Sequence, residues 1–423
     1  MLTYRFKGNG RRGSISVFIV IAFAAFILVS SVLFAAARSA ASKSVGDAVL
    51  QLAGRSVLSE FDRTLFQNYG VLAVHGDGAY MERSVKRYAD ASLGDDEKLR
   101  EVQIGLMGYS LLDVDNFEGQ VVDAVKSGWT VGKDLLRGDN GDGDFGDGAN
   151  YTHGLEHNSL RALRKSSVVL SLPSQGYESN GFADAFESIT ADGIPSMDEV
   201  LASGTTAFVV NSYIMTIFAN RQSEAEASSR FFAGEVEYII AGNMDDNANY
   251  KSVKTRIYAI RLALNNVAIL TDSEKMKKLR NLARTAVATG GAVSEVVALA
   301  GMIELWALAE TDNDLERLKA GHDVAFKKTS EQWALNDVND ILDGIVGSSC
   351  VAPENTDGQP YEDYLKLLLF MMNRECKLLR MMDLMQINMK GLTNGEFLIR
   401  EQFVGFDFSA VSGGDEFVYE NAY

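Results

Sequence analysis

The sequence predicts an α+β protein that is predominantly helical: an N-terminal transmembrane helix continues into an amphipathic stalk helix, and a mixed α+β ectodomain follows. Three observations lead to this fold class. Residues 15–37 form an apolar run long enough to cross a membrane. The chain has only 4 prolines against 38 glycines, and its long segments rich in alanine, leucine and methionine favour helices. In several of these segments apolar residues recur at helical spacing.

The membrane segment, residues 15–37, contains no charged residue, and the first acidic residue of the chain is Asp47. The tail before it has no acidic residue either, and its basic residues are Arg5, Lys7, Arg11 and Arg12. A basic flank on one side of a span stays in the cytosol. We therefore expect a single-pass protein of the cell membrane that contacts lipid through this helix, with a cytosolic N-terminus and an extracytoplasmic C-terminal part.

Two kinds of processing are alternatives to an uncleaved anchor. A secretory signal could be cut after the A-x-A pair Ala35 and Ala37, although the apolar run is longer than such signals usually have. A prepilin-type leader could be cut between Gly13 and Ser14, leaving the helix intact. Type IV prepilins usually carry a glutamate five residues after the cut, where this chain has Phe18. The uncleaved anchor is the main interpretation.

The composition limits the classes of partner. Hydrophobic residues make up 47% of the chain and aromatic residues 9%, which is enough for a sizeable core outside the membrane. The net charge is −17. A polyanion is a poor partner for DNA, RNA or anionic lipid headgroups, so we exclude nucleic-acid binding. Cys350 and Cys376 could form a disulfide outside the cell or remain two free thiols, and the sequence leaves both open.

We divide the chain into five segments: a basic cytosolic tail (1–14), a transmembrane helix (15–37), a stalk helix with a small α+β unit (38–137), an acidic Gly/Asp loop (138–150) and a mainly helical extracytoplasmic domain (151–423). In the stalk, Leu50, Val57, Phe61 and Leu65 follow helical spacing, and we expect one helix up to Tyr69. The small unit should have β-α-β-α order, with strands near 71–74 and 102–114 and helices over 81–91 and 117–129.

The acidic loop has the composition of a solvated linker, since glycine adds freedom and its aspartates repel one another. A calcium loop is the alternative. Asp142 and Asp144 fit the spacing of such a loop, but Phe145 stands in place of the required glycine and Tyr151 in place of the closing glutamate.

In the last segment, further elements follow from periodicity and from turn residues. We expect a strand at 236–240, a helix containing the 4-3-4-3 repeat of residues 253–267, a helix capped by Ser273, a buried core helix at 286–309, two helices within 361–390 that separate near 373–375, and an edge strand in the tail 405–423. Glu295 and Glu304 argue against a second membrane span at 286–309. A stripe in 361–390 indicates core filling, and it comprises Leu368, Met371, Met382, Met385 and Met389.

Two constellations could carry chemistry. His153, Glu156 and His157 fit the H-x-x-E-H pattern of inverted zincins, in which both histidines bind zinc and the glutamate polarises water. Gly154 inside the required helix and the adjacent acidic loop count against it. Glu235 and Glu237 would lie on one face of the predicted strand as a carboxylate dyad or as an ordinary exposed face. We predict no enzymatic activity and no cofactor.

Several blocks resemble a family of uncharacterised membrane-anchored proteins encoded beside Tad (Flp) pilus assembly genes in Gram-positive bacteria, similar in layout to TadE- and TadG-like minor pilins. The resemblance rests on the blocks GSISVF (13–18), SEFD (59–62), NYGV (68–71), GEVEYII (234–240), RLALN (261–265), WALAE (306–310), YEDYL (361–365) and RMMDLMQINM (380–389). It implies a role in a pilus or secretion machine at the cell surface, with pilin or pilus-assembly proteins as partners, and it supplies no catalytic residues.

We therefore predict a structural or assembly component of such a machine. The expected interaction surfaces are a membrane face at Phe18, Phe23 and Phe26 and a stalk seam at Leu50, Val57, Phe61 and Leu65. Packing of this seam against the chain's own ectodomain is an equally open reading. Alternative functions are a membrane-tethered zinc hydrolase using the H-x-x-E-H motif and an adhesin-like ectodomain.

Overall fold

A computed structural model describes residues 12–93, 99–130, 171–177, 186, 206–222, 231–289, 294–336, 341, 350–392, 397–412 and 414–423. Most of them are helical, which confirms the predicted fold class. The helices are α1 (Arg12–Leu58), α2 (Arg63–Tyr69), α3 (Gly78–Asp90), α4 (Val114–Lys126), α5 (Thr206–Ile217), α6 (Glu235–Ala241), α7 (Asp246–Thr271), α8 (Ser273–Ala288), α9 (Glu295–Lys319), α10 (Tyr361–Phe370) and α11 (Arg374–Leu392). The strands are β1 (Val74–His75), β2 (Glu101–Gly105), β3 (Gln402–Phe403), β4 (Gly405–Ser412) and β5 (Asp415–Ala422).

The first of two compact units comprises residues 1–62, 73–110 and 403–423. Its antiparallel sheet has the order β2-β4-β5, so β5 is the edge strand expected in the tail. Phe406, Phe408 and Ala410 alternate along β4 and point into the core, where α1 and α3 cover them. The hairpin turn between β4 and β5 contains Gly414 at φ +93°, a conformation that favours glycine.

The second unit comprises residues 63–72 and 111–402 and consists mainly of packed helices. Helices α7, α8 and α9 pack together around Trp306 and Trp333. Helix α6 lies against α7, α10 and α11. The predicted break within 361–390 is confirmed between Phe370 and Arg374, and the methionine stripe there is buried in the core as predicted.

This division differs from the predicted one in its boundaries. Strand β4 pairs with β2, β5 pairs with β4, and both complete the first unit, whereas α4, which we placed in the small unit, belongs to the second. Strand order along the chain does not reveal such long-range pairing, because the hydrogen-bonded partners lie some three hundred residues apart.

The stalk helix is shorter than predicted. Helix α1 ends at Leu58, and after a turn α2 begins at Arg63. In this turn, the carboxylate of Glu60 accepts hydrogen bonds from Tyr80, Arg87 and Tyr88 of α3. These bonds attach the turn to α3 in a non-helical conformation. Of the strand expected at 71–74, only Val74 belongs to β1.

The predicted strand at 236–240 is wrong, because these residues form α6. The helix ends at Gly242, whose φ of +76° and hydrogen bond to the carbonyl of Tyr238 make a left-handed cap. Residues Glu235–Ile240 are all buried, so the segment lacks the alternation that distinguishes a strand from a buried helix.

Three other expectations fail locally. Asp272, and not Ser273, is the residue whose side chain caps α8. The predicted core helix at 286–309 spans the end of α8 and the first half of α9, and most residues of α9 are buried only from Trp306 onward. Val267, which we included in the buried stripe of α7, is exposed because the buried face passes through Arg261, Asn265 and Ile269.

Candidate functional site

The apolar half of α1 is the most exposed hydrophobic surface of the described chain. Over its most apolar 18-residue window the mean hydropathy is 2.9, and no residue of that window is buried. Phe18, Phe23 and Phe26 are 72%, 64% and 67% exposed. This helix is long and apolar enough to cross a membrane, and among the described residues it is the one helix that meets both conditions.

The other half of the same helix is part of the core of the first unit. Leu50, Ala53 and Val57 are buried among the apolar residues of α3 and the sheet. The C-terminal strand also binds α1 directly. The Tyr419 hydroxyl donates to Oδ1 of Asp47 at 2.5 Å, and the Tyr423 hydroxyl donates to the carbonyl of Leu58. One continuous helix therefore joins the apolar segment to a folded unit.

The end of α1 is fixed by a polar cluster around Glu60. Its carboxylate accepts hydrogen bonds from Tyr80 at 2.9 Å, Tyr88 at 2.6 Å and Arg87 at 2.5 Å. Partial burial raises the pKa of Glu60, but the two tyrosines and the Arg87 charge outweigh it and hold the pKa below its ordinary value. The carboxylate thus stays ionised and keeps α1 attached to α3.

The predicted stalk seam does not form an exposed surface. Leu50 and Val57 are buried in the first unit, where Phe61 packs against the core, and Leu65 is buried in α2 of the second unit. These residues pack against the chain itself, which is the other reading that the sequence left open.

The second unit contains a buried network of charged side chains, which come from α7, α9 and the loop that follows α9. The guanidinium of Arg261 donates to Oδ2 of Asp314 at 2.7 and 3.0 Å, and Lys328 donates to Oδ1 of Asp314 at 2.5 Å and to Glu310. Asn265 donates to Asp314 at 3.1 Å. Burial raises the pKa of Asp314, but the Arg261 and Lys328 charges outweigh this effect and lower it.

A second set of buried polar contacts holds α6. Oε1 of Glu237 accepts from the Tyr361 hydroxyl at 2.9 Å, and Glu235 accepts from Asn388 at 2.7 Å. The Tyr238 hydroxyl donates to Asp383 at 2.9 Å. Burial raises the pKa of both Glu237 and Asp383.

Glu235 and Glu237 therefore do not form the carboxylate dyad considered from the sequence. Two residues apart on a helix they point in different directions, and they bind different helices, α11 and α10. Both side chains are buried, so neither one faces solvent.

The family assignment follows from the region that contains these networks. The profile of a family of unknown function, DUF5702, matches residues 162–413, which is more than half of the chain. The chain belongs to the DUF5702 family. No curated protein and no solved structure matches it.

The DUF5702 region runs from before α5 to the end of β4 and contains every residue of the buried networks described above. Helix α1 lies outside it. Several of the sequence blocks quoted in the sequence analysis supply polar members of these networks: Arg261, Asn265, Glu310, Tyr361, Asp383 and Asn388. In the DUF5702 region these side chains hold helices to one another.

The remaining predicted site residues are placed as follows. The motif His153, Glu156 and His157 and the acidic loop lie outside the described residues. Gly13 and Ser14 lie in the first turn of α1. Cys350 and Cys376 are free thiols, so the disulfide alternative is not realised in this structure. Among the described residues, no three His, Cys, Asp or Glu side chains are grouped so that they could hold a metal ion.

The buried ion network was missed as a unit from the sequence. One signal was present: Arg261 with Asn265, and Glu310 with Asp314, are polar pairs four residues apart, each flanked by apolar residues at the same spacing. Such pairs on an apolar face indicate buried charge that needs a partner. The partner Lys328 lies in an irregular loop and carries no comparable signal.

Proposed function

We propose that this DUF5702 protein is a non-enzymatic, membrane-anchored structural or assembly component of a Tad/Flp-type pilus or a related secretion system, with a minor-pilin-like or pseudopilin-like layout. Its N-terminus lies in the cytosol and both folded units lie outside the membrane. The role is mechanical, because α1 packs against lipid or pilin helices while the ectodomain contacts other proteins of the machine.

The observation that carries this proposal is the continuity of α1. Residues 15–37 of α1 are all apolar, small or hydroxyl residues, and the second half of the helix is embedded in the first unit through Leu50, Ala53 and Val57. A load on the membrane segment therefore reaches the core of the unit without a flexible joint. The basic tail supports the proposed orientation, and the sequence blocks similar to Tad-associated proteins support the kind of machine.

Deleting the gene in its own organism and counting surface pili tests the proposal. We expect pili to be lost, and the native chain to restore them. A chain carrying Phe23→Lys and Phe26→Lys should fail to restore them, since charges at membrane depth cost several kcal/mol each. Unchanged piliation in the deletion strain would contradict the pilus role.

A matched variant separates this role from the zinc-hydrolase alternative. His153→Ala with His157→Ala removes both histidines of the H-x-x-E-H motif. A non-enzymatic component should restore piliation fully with these substitutions, whereas a hydrolase that depends on the motif would lose its function.

A further inference from the structure

The last turn of α8 and the first turns of α9, which we call the α8–α9 hairpin end, form an exposed apolar surface in the second unit. Arg284 of α8 donates to Glu295 of α9 at 2.8 Å, so the end of α8 lies beside the beginning of α9. Asn266 of α7 lies beside Glu304 of the antiparallel α9. Since α7 ends five residues later, at Thr271, it stops about one turn short of the beginning of α9. The hairpin end is thus not covered by α7.

The residues at this end are apolar although solvent surrounds them. Val296 and Val297 are 76% and 58% exposed, and Ala286, Ala288 and Ala300 are exposed as well. This is part of the run that the sequence predicted as a buried core helix. The core cluster includes α9 from Trp306 onward, and Leu299, Met302 and Ile303 pack against it, whereas Val296 and Val297 of the first turn lie outside it.

A basic stripe runs along α8 toward the same end. Lys277, Arg280 and Arg284 are spaced three and four residues apart on the face opposite the buried Leu279 and Ala283. Lys278 is exposed nearby, and neither it nor Lys277 or Arg280 forms an ion pair with a described residue. This end of the hairpin is therefore locally positive in a chain with a net charge of −17.

We propose that the α8–α9 hairpin end docks on a lipid surface with anionic headgroups. The exposed valines and alanines enter the headgroup boundary, and Lys277 and Arg280, which form no ion pair with a described residue, contact the headgroups. A basic face next to exposed apolar residues is the pattern of an interfacial membrane helix. The whole-chain charge, which predicts a poor partner for anionic lipid headgroups, does not describe this local surface.

Lipid fits this surface better than an acidic protein does. The exposed apolar side chains are small and include no aromatic residue, whereas protein interfaces usually depend on large aromatic anchors such as Trp and Tyr. The proposal rests on the proposed membrane anchor, because a tethered chain meets a bilayer surface at a high effective concentration.

The test uses the full chain with Val297→Cys and Cys350→Ser, carrying an environment-sensitive fluorophore at residue 297. The labelled protein is reconstituted into phosphatidylcholine vesicles and into vesicles that also contain phosphatidylglycerol. We expect a blue shift, and quenching by a lipid-borne quencher, in the anionic vesicles alone. With Lys277→Glu and Arg280→Glu, the blue shift should be lost in the same anionic vesicles.

The control variant, Arg83→Glu with Lys251→Glu, changes the net charge equally at exposed positions on other helices and should keep the shift. Equal spectra in both kinds of vesicle, or no effect of the two α8 substitutions, would overturn the proposal. A fluorophore that is already blue-shifted without lipid would indicate a protein contact and would overturn it as well. Flotation of the vesicles in a density gradient tests the membrane anchor separately. A chain that floats with both kinds of vesicle has an inserted anchor. A chain that floats only with anionic vesicles contradicts the proposed anchor but supports lipid binding by the hairpin end.

Discussion

Individual buried charges in the second unit are balanced by specific partners. Arg261 forms an ion pair with Asp314, and Lys328 forms ion pairs with Asp314 and Glu310. The backbone amides of Ala334 and Leu335 also donate hydrogen bonds to Glu310. Removing one member leaves an unpaired charge in the core, which costs more than the pair contributes when intact. The residue-scale predictions follow from this asymmetry.

We predict that Asp314→Asn lowers the free energy of unfolding by about 3–5 kcal/mol, because it leaves Arg261 and Lys328 with one carboxylate fewer between them. Guanidinium unfolding of the full chain in detergent, followed by tryptophan fluorescence, measures this. Trp306 and Trp333 lie beside the network and report on it. Glu295→Gln breaks only an exposed pair with Arg284 and should change stability by less than about 1 kcal/mol. Equal effects of the two substitutions on the free energy of unfolding would contradict a stabilising role of Asp314 in the buried network.

Lys377 gives the second residue-scale prediction. Burial lowers the pKa of Lys377 to about 8, because it outweighs the Glu118 charge, which raises the pKa. The ammonium group donates a hydrogen bond to Asn211 at 2.6 Å. The ordinary pKa of about 10.4 applies in the unfolded chain. Between these values the unfolded chain binds more protons, so stability should rise with pH from about 8 toward about 10, by up to about 3 kcal/mol.

Comparing the native chain with Lys377→Met at several pH values isolates this contribution, since other groups titrate equally in both. The difference between the two proteins should change over that pH range, and Lys251→Met, at an exposed position, should behave like the native chain. A pH dependence that Lys377→Met leaves unchanged would show that Lys377 is not the group responsible.

At the scale of elements, β5 holds α1 in place. Gly54 of α1 lies against the buried Asn421 of β5, and a Cβ at Gly54 would come within 2.7 Å of its side-chain oxygen. We predict that Gly54→Val displaces the β4–β5 hairpin, and faster amide exchange along β5 would report this. Gly119→Ala in α4 is the control, because a Cβ there contacts nothing within 4 Å and alanine favours the helix. Unchanged exchange in Gly54→Val would contradict the contact.

The sequence predicted those elements whose pattern arises locally. Helices α3 and α4, the break between α10 and α11 and the methionine core follow from periodicity and turn residues, and all are present. Helix α6 was mistaken for a strand because it is buried on every side and so shows no periodicity. The exposure of Val267 was missed because the polar Arg261 and Asn265 occupy the buried face of α7, which periodicity assigns to apolar residues.

For the whole molecule, the sequence indicated an apolar anchor followed by a helical α+β part but not how distant segments combine. The pairing of β2 with β4 and the union of α7, α9 and Lys328 in one network depend on contacts between distant parts of the chain. The candidate membrane face at Phe18, Phe23 and Phe26 could be located from composition, because exposure of an apolar helix needs no tertiary partner.

The central claim is that the mature protein keeps α1 in the membrane as an anchor for exported units. Determining the N-terminal residue of the protein recovered from membranes and from sheared surface material tests it most directly. We expect a chain that begins at Met1, or at Ser14 if a leader is removed. In either case the chain should keep the whole apolar segment and be recovered in the membrane or pilus fraction. A protein that begins at Arg38 and is recovered free of membranes and pili would contradict it.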